Sequence, residues 1–160
     1  MADTEHNRKT TPPPTGNWIV VDLQGHQITL FEDGKPIPQS IKHFSIGRKS
    51  QLGHEWLTHM GDAEILPNRR IRVGHRSNVF KDPNNPKLGA LMNYALFFNN
   101  HGQAFHEGDV KIESHGCIHL NKADAVRLFE WVGDKKVGVR IVGPYSHQHS
   151  LRELSSKRYA

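Results

Sequence analysis

This chain of 160 residues has a single cysteine, Cys117, so no internal disulfide can hold it together. No apolar run is long enough to span a bilayer. There is no GxxxxGK phosphate loop, no HExxH or paired CxxC spacing, and no internal repeat. These absences remove a disulfide framework, a transmembrane helix, a P-loop nucleotide site and a motif-borne zinc site. The first seventeen residues also lack the apolar core of a secretory leader. Three readings follow: a leader removed, export without one, or residence in the cytosol.

Hydrophobic residues make up 36% of the chain and charged residues 23%, an ordinary composition for one soluble domain with its own core. The formal charge is +5, and twelve histidines add to it below neutral pH. A basic surface favours anionic partners such as nucleic acid, a membrane surface or a cell-wall polymer. Clustered aromatic-basic motifs are missing, so no nucleic-acid partner is expected.

Residues 1–16 read as a disordered arm, polar and ending in Pro12-Pro13-Pro14. Trp18–Leu23 is β-branched and strand-like, Gln24-Gly25 is a turn, and 26–32 pairs back, closed by Asp33-Gly34. A further strand is expected at about 40–46. Residues 67–90 are punctuated by Pro67, Gly74, Pro83, Pro86 and Gly89, and read as a basic, loop-like stretch: a solvated face or a lid. Asn93–Asn99 is an apolar strand, after which 103–106 pairs back and ends at His106. Asn121 caps a helix over 122–132, with Ala125, Val126, Phe129 and Val132 on one face and Gly133 as its stop. Residues 137–142 form a last strand. The tail from 146 to 160 is polar, either mobile or a surface helix.

The stretch from Phe105 to Leu120 carries the chemistry. It holds Cys117, with Gly116 before it and His106, His115 and His119 around it. A thiol attacks as thiolate, and an imidazole is the usual activator. Ten residues separate His106 from Cys117, enough for a loop that returns the ring to the sulfur. Gly116 lets backbone amides approach a substrate oxygen closely.

Ser114-His115-Gly116-Cys117-Ile118, a polar residue and Leu120, together with the upstream His106-Glu107, resemble the active-site signature of the L,D-transpeptidase (YkuD-like) family. Ser45-Ile46-Gly47 and the threonine and glycine of Thr58-His59-Met60-Gly61 are similar to further family motifs, although the proline and aromatic usual in the latter are missing. The resemblance implies a mainly β catalytic domain, a mixed β-sandwich or barrel with one principal α-helix, spanning 17–145. It implies a cysteine acyltransferase acting on tetrapeptide stems of peptidoglycan through a thioester, by cross-linking, D-amino-acid exchange or L,D-carboxypeptidase trimming. It further implies Cys117 as nucleophile and His106 as base, oriented by the Glu107 carbonyl. His115 and Gly116 belong to the catalytic set, His115 as auxiliary proton carrier or loop scaffold. Ser114, His119, Glu107 and Tyr94 are the expected substrate-binding residues, and no cofactor or metal is expected.

His119 stands where the family commonly has arginine or asparagine. Histidine offers fewer donors than arginine's permanent fork, which predicts an altered acceptor preference or pH dependence. With a substrate outside the cytoplasm and no visible leader, one expectation is an antibacterial effector delivered into the periplasm by type VI secretion, with an immunity protein as partner. A housekeeping enzyme of the cell envelope is the plainer one. The alternative class is a zinc-binding or non-catalytic wall-binding protein using His106, His115, Cys117 and His119 as ligands.

Overall fold

The computed structural model describes residues 4–47 and 57–143. The expected tail from 146, the last residues of the domain at 144–145 and the start of the arm lie outside them. Within the arm, Thr4–Lys9 form a short helix, α1, instead of the disorder expected there. It is held because His6 Nε2 meets Asp22 Oδ1 at 3.0 Å and Arg140 donates to the Thr11 carbonyl at 2.7 Å.

The opening hairpin forms as read. Strand β1 (Asn17–Asp22) pairs antiparallel with β2 (Gln27–Glu32), with Ile19 opposite Leu30 and Val21 opposite Ile28. Asp33 and Gly34 both take positive φ, 48° and 78°, the geometry of a tight turn that suits strand twist. They lead into β3 (Lys35–Pro36), an edge strand, where a proline costs no ladder bond. The strand expected over 40–46 is divided between two sheets. Ile41 bridges to Ile28, whereas β4 (Phe44–Ser45) pairs with a strand of the second sheet.

After β5 (Gly61–Ile65) come β6 (Arg70–Ile71), β7 (Arg76–Asp82) and β8 (Asn85–Leu91). The stretch read as loop-like therefore contains a hairpin, β7–β8, with irregular register. Its breakers are accommodated individually. Pro83 lies in the turn, where the Asn84 amide donates to Asp82 Oδ1 at 2.8 Å. Pro86 sits in a ribbon of only two strands, with no third partner needing its amide. Gly89 passes so close to the facing strand that a Cβ would lie 1.9 Å from the Ser77 carbonyl oxygen.

The chain continues through β9 (Ala95–Phe97), β10 (Ala104–Glu107), β11 (Ile118–Leu120), α2 (Lys122–Val132) and β12 (Val137–Val142). One sheet runs β3-β2-β1-β12-β5 and the other β4-β11-β10-β9-β6. The α2 boundaries are those the sequence predicts. Asn121 accepts from the Asp124 amide at 3.0 Å, and the Gly133 amide closes the last turn on the Phe129 carbonyl at 3.1 Å. Leu128, rather than Val126, completes the buried face.

A single cluster collects Ile19, Val21, Ile28, Phe44, Leu96, Phe105, Ile118, Leu120, Leu128 and Val139 from both sheets and α2. Each such side chain stabilises the fold by roughly 1.5–3 kcal/mol on burial. The protein is thus mostly β with one principal helix, as expected.

Candidate active site

In the second sheet, alternation sends Leu96, Phe105, Ile118 and Leu120 into the main core. Their neighbours Ala95, Phe97, Ala104, His106, Cys117 and His119 take the other face, where Ala95, Ala104, Phe97 and Cys117 join Met92 in a separate cluster. Strands β10 and β11 are parallel, with Phe105 beside Ile118 and His106 beside His119. One residue earlier, Ala104 falls beside Cys117. His106 and Cys117 therefore lie on adjacent strands, on one face, a diagonal step apart.

His106 is 1% exposed. Its Nδ1 stands 2.7 Å from the Glu107 carbonyl oxygen. A carbonyl only accepts, so Nδ1 carries the hydrogen and Nε2 the lone pair. That Nε2 is buried and has no hydrogen-bond partner among the described residues. Burial, with smaller contributions from nearby His119 and His75 and against the opposing Glu107 carbonyl, pushes the His106 pKa down to about 3. Burial likewise pushes the Cys117 thiol up to about 11, against a hydrogen bond from the Ala104 backbone. The thiol also reaches the Gly102 carbonyl at 3.9 Å. At neutral pH the pair is a neutral thiol beside a neutral imidazole.

The loop before the cysteine is tied from within. Ser114 donates its amide to the Ile46 carbonyl at 3.0 Å. Its hydroxyl accepts the Gly116 amide at 3.0 Å and donates to the Cys117 carbonyl. Gly116 has φ +126°, and a Cβ there would come within 2.4 Å of Gln103 Nε2. Thr58 Oγ1 accepts the Gly47 amide and donates to the Gly116 carbonyl, each at 2.8 Å. Gly116 thus supplies a conformation, while its own amide is already engaged by Ser114.

The expected site residues separate into three groups. His115 shares a groove of about 370 Å³ with Cys117, its ring stacked on Phe80 of β7 at 3.8 Å between centroids. His106 and His119 border a second cavity of about 490 Å³, together with Asp82 and Asp109. The β7–β8 hairpin contributes residues to both. Ser114 and Tyr94 are placed apart from both cavities. Ser114 is fully buried within its loop, and Tyr94, at φ 55°, turns its ring edge-on to Phe129 at 5.8 Å, against the main core. Glu107 is half-buried and contributes its carbonyl. His119 is 1% exposed, its Nδ1 meets the Asp109 carbonyl at 3.0 Å, and it borders the second cavity rather than the Cys117 groove.

Sequence reasoning missed Gln103. Buried Gln103 accepts from the His59 amide and donates to the Leu57 carbonyl, both at 2.9 Å, and so braces Gly116. A lone polar residue in an apolar strand was its only signal. Among the described residues, no three His, Cys, Asp or Glu side chains converge as metal ligands.

Residues 16–142 match the family model of YkuD, the L,D-transpeptidase catalytic domain. Among solved structures, the L,D-transpeptidase (Yku) from Stackebrandtia nassauensis superposes with a TM-score of 0.68 at 24% identity, covering 86% of this chain and 60% of that one. An L,D-transpeptidase from Mycobacterium smegmatis gives 0.61 at 18% identity, covering 79% and 58%. Mycobacterium tuberculosis L,D-transpeptidase 1 gives 0.58 at 21%, covering 79% and 61%. At these identities the likeness establishes a shared fold, and the chain spans about 60% of the length of these proteins. No curated protein matches the chain.

Proposed function

This chain belongs to the L,D-transpeptidase (YkuD) family, and we propose that it is a cysteine acyltransferase acting on peptidoglycan stem peptides in the cell envelope. His106 Nε2 accepts the Cys117 proton as the sulfur attacks the carbonyl of the stem residue that precedes the leaving one. The Cys117 amide, at the end of the loop braced by Thr58 and Ser114, holds the developing oxyanion. The carbon–nitrogen bond then breaks, His106 returns the proton to the departing amine, and a thioester remains on Cys117. An amine acceptor resolves it to a cross-link or an exchanged peptide, and water resolves it to a trimmed one. Every step uses the chain's own groups.

The observation that carries this reading is the fixed tautomer of His106. The Glu107 carbonyl holds the hydrogen on Nδ1 at 2.7 Å and leaves a buried lone pair at Nε2, on the face that also bears Cys117. A neutral thiol paired with a neutral imidazole suits proton removal during attack, as in general-base catalysis.

Mass spectrometry of purified tetrapeptide muropeptides, incubated with the protein and with Cys117→Ala, is the test. The expected result is a thioester on Cys117 and a shortened, exchanged or cross-linked product, both absent in the variant. Unaltered muropeptides and an unmodified Cys117 would reject the reading.

A further inference from the structure

The Cys117 groove is asymmetric in charge. It is lined by Arg69, Arg70, His75, His101 and His115, and among the described residues no carboxylate lines it. Most other arginines near the site have an acidic partner: Arg72 has Glu130 and Arg76 has Asp82. Arg69 has none among the described residues. Its Nη2 donates to the Asn99 carbonyl at 3.2 Å, and its guanidinium lies over the Phe97 ring at 5.7 Å. Those contacts hold one side of a planar fork that has donors to spare.

Strand register shows where that fork stands. The Phe97 amide donates to the Arg69 carbonyl at 2.9 Å, and the neighbouring pair in the same ladder is Arg70 with Leu96. Phe97 is opposite Ala104, and Ala104 falls beside Cys117. Arg69, Phe97, Ala104 and Cys117 thus form one transverse row on one face of the sheet. The two ends carry a cation and a nucleophile, and the two middle positions are an uncharged floor. Three strand spacings separate the backbones at the ends, about 14 Å. With the guanidinium reaching in from one end and the thiol from the other, the gap suits one extended residue, ~3.5 Å long, with a ~3 Å contact on each side. His119 does not supply the groove's charge, because it is buried in the other cavity with Nδ1 on the Asp109 carbonyl.

The geometry points to Arg69 as the carboxylate-recognition residue of the Cys117 groove, selecting peptides that end in a free α-carboxylate one residue beyond the attacked carbonyl. This rests on the acyl-transfer reading above and narrows it. The leaving group is a single terminal amino acid, and an amidated or extended C-terminus is a poor substrate. A bidentate guanidinium–carboxylate pair supplies both orientation and affinity. It also sets the scissile carbonyl over Cys117 before the proton moves.

The test measures binding in the Cys117→Ser protein, where turnover does not intervene. Two synthetic tetrapeptide stems are compared by calorimetry, one with a C-terminal carboxylate and one with a C-terminal amide. The acid is expected to bind about tenfold or more tighter. That ratio should fall towards one on adding Arg69→Gln and be partly restored by Arg69→Lys, which keeps the charge but loses the fork. Thermal unfolding checks that both variants fold. An acid-to-amide ratio near one with Arg69 present, an unchanged ratio in Arg69→Gln, or no binding of either peptide overturns the assignment. Wild-type turnover separates the two claims. Acid-selective binding without a thioester leaves the Arg69 site standing and removes acyl transfer, whereas equal processing of acid and amide does the reverse.

Discussion

His106 and His119 face each other on parallel strands, their ring centroids 4.9 Å apart and their planes at 69°. Both Nδ1 atoms meet backbone carbonyls, those of Glu107 and Asp109. Gly108 makes room for this pair, since a Cβ there would lie 2.7 Å from the His119 ring. The cavity they border also holds Asp82, which is paired to Arg76, while His75 lowers the His106 pKa from the side of the Cys117 groove. His119 therefore acts on the proposed base as a neighbour of like potential charge.

Replacing His119 by Asn should move the acid limb of Cys117 acylation to higher pH. The neighbouring imidazole lowers the His106 pKa, so its removal lets that pKa rise from about 3 towards its ordinary value, and the neutral base is lost at a higher pH. The check is thioester formation followed by mass spectrometry across pH. A limb that does not move refutes the coupling. His119→Arg should in addition destabilise the protein by about 1–3 kcal/mol, because the larger side chain meets the Gly108 backbone.

The thiol lines the groove and is partly exposed, yet it should behave as a desolvated one. With its pKa raised to about 11 by burial, alkylation by iodoacetamide should be slow at pH 7. It should then rise by about tenfold per pH unit towards pH 10. A plateau of reactivity around neutrality would mean instead that a thiolate–imidazolium pair already exists in the resting protein.

Acid should destabilise the fold through His106. The unfolded ring titrates near its ordinary value of 6.5 and the folded one at about 3, so between these values the unfolded chain binds the extra proton. Stability is full above the upper value and falls by up to about 1.4 kcal/mol per pH unit below it. Urea unfolding at pH 7 and pH 4 should show this loss, and His106→Gln should make the slope shallower.

Thr58→Val keeps the shape of the side chain and removes its bonds to Gly47 and Gly116. The Gly47 amide and the Gly116 carbonyl are then left unpaired in a buried place, costing about 1–3 kcal/mol. Because the loop carrying Cys117 loses its brace, kcat for acylation should fall more than KM rises. A stability loss with unchanged kcat would assign Thr58 to folding alone.

The elements with local instructions were legible in the sequence. The first hairpin announced itself through β-branched residues and Gln24-Gly25, the turn into β3 through Asp33-Gly34, and α2 through Asn121 and Gly133. The β12 limits were also those expected. The signature around Cys117 named the family, and the place of His106 at the end of its strand was readable. Punctuation misled at 67–90, because a two-stranded ribbon tolerates prolines and a close-packed glycine that a wider sheet rejects. The packing of Tyr94 and Ser114 was not legible, because sequence does not say which way a side chain points once a positive φ or a buried hydroxyl is engaged in packing.

By itself, then, the sequence determined the chemistry available: one thiol, several imidazoles, a glycine before the cysteine and strands to carry them. Only the tertiary structure decided their geometry. The parallel register of β10 on β11 set His106 diagonally to Cys117 and His119 beside it, and the ladder through β9 to β6 brought Arg69 into the row of the thiol. Alternation along a strand is a local property, but which strands become neighbours, and in what register, depends on burying many distant apolar side chains at once.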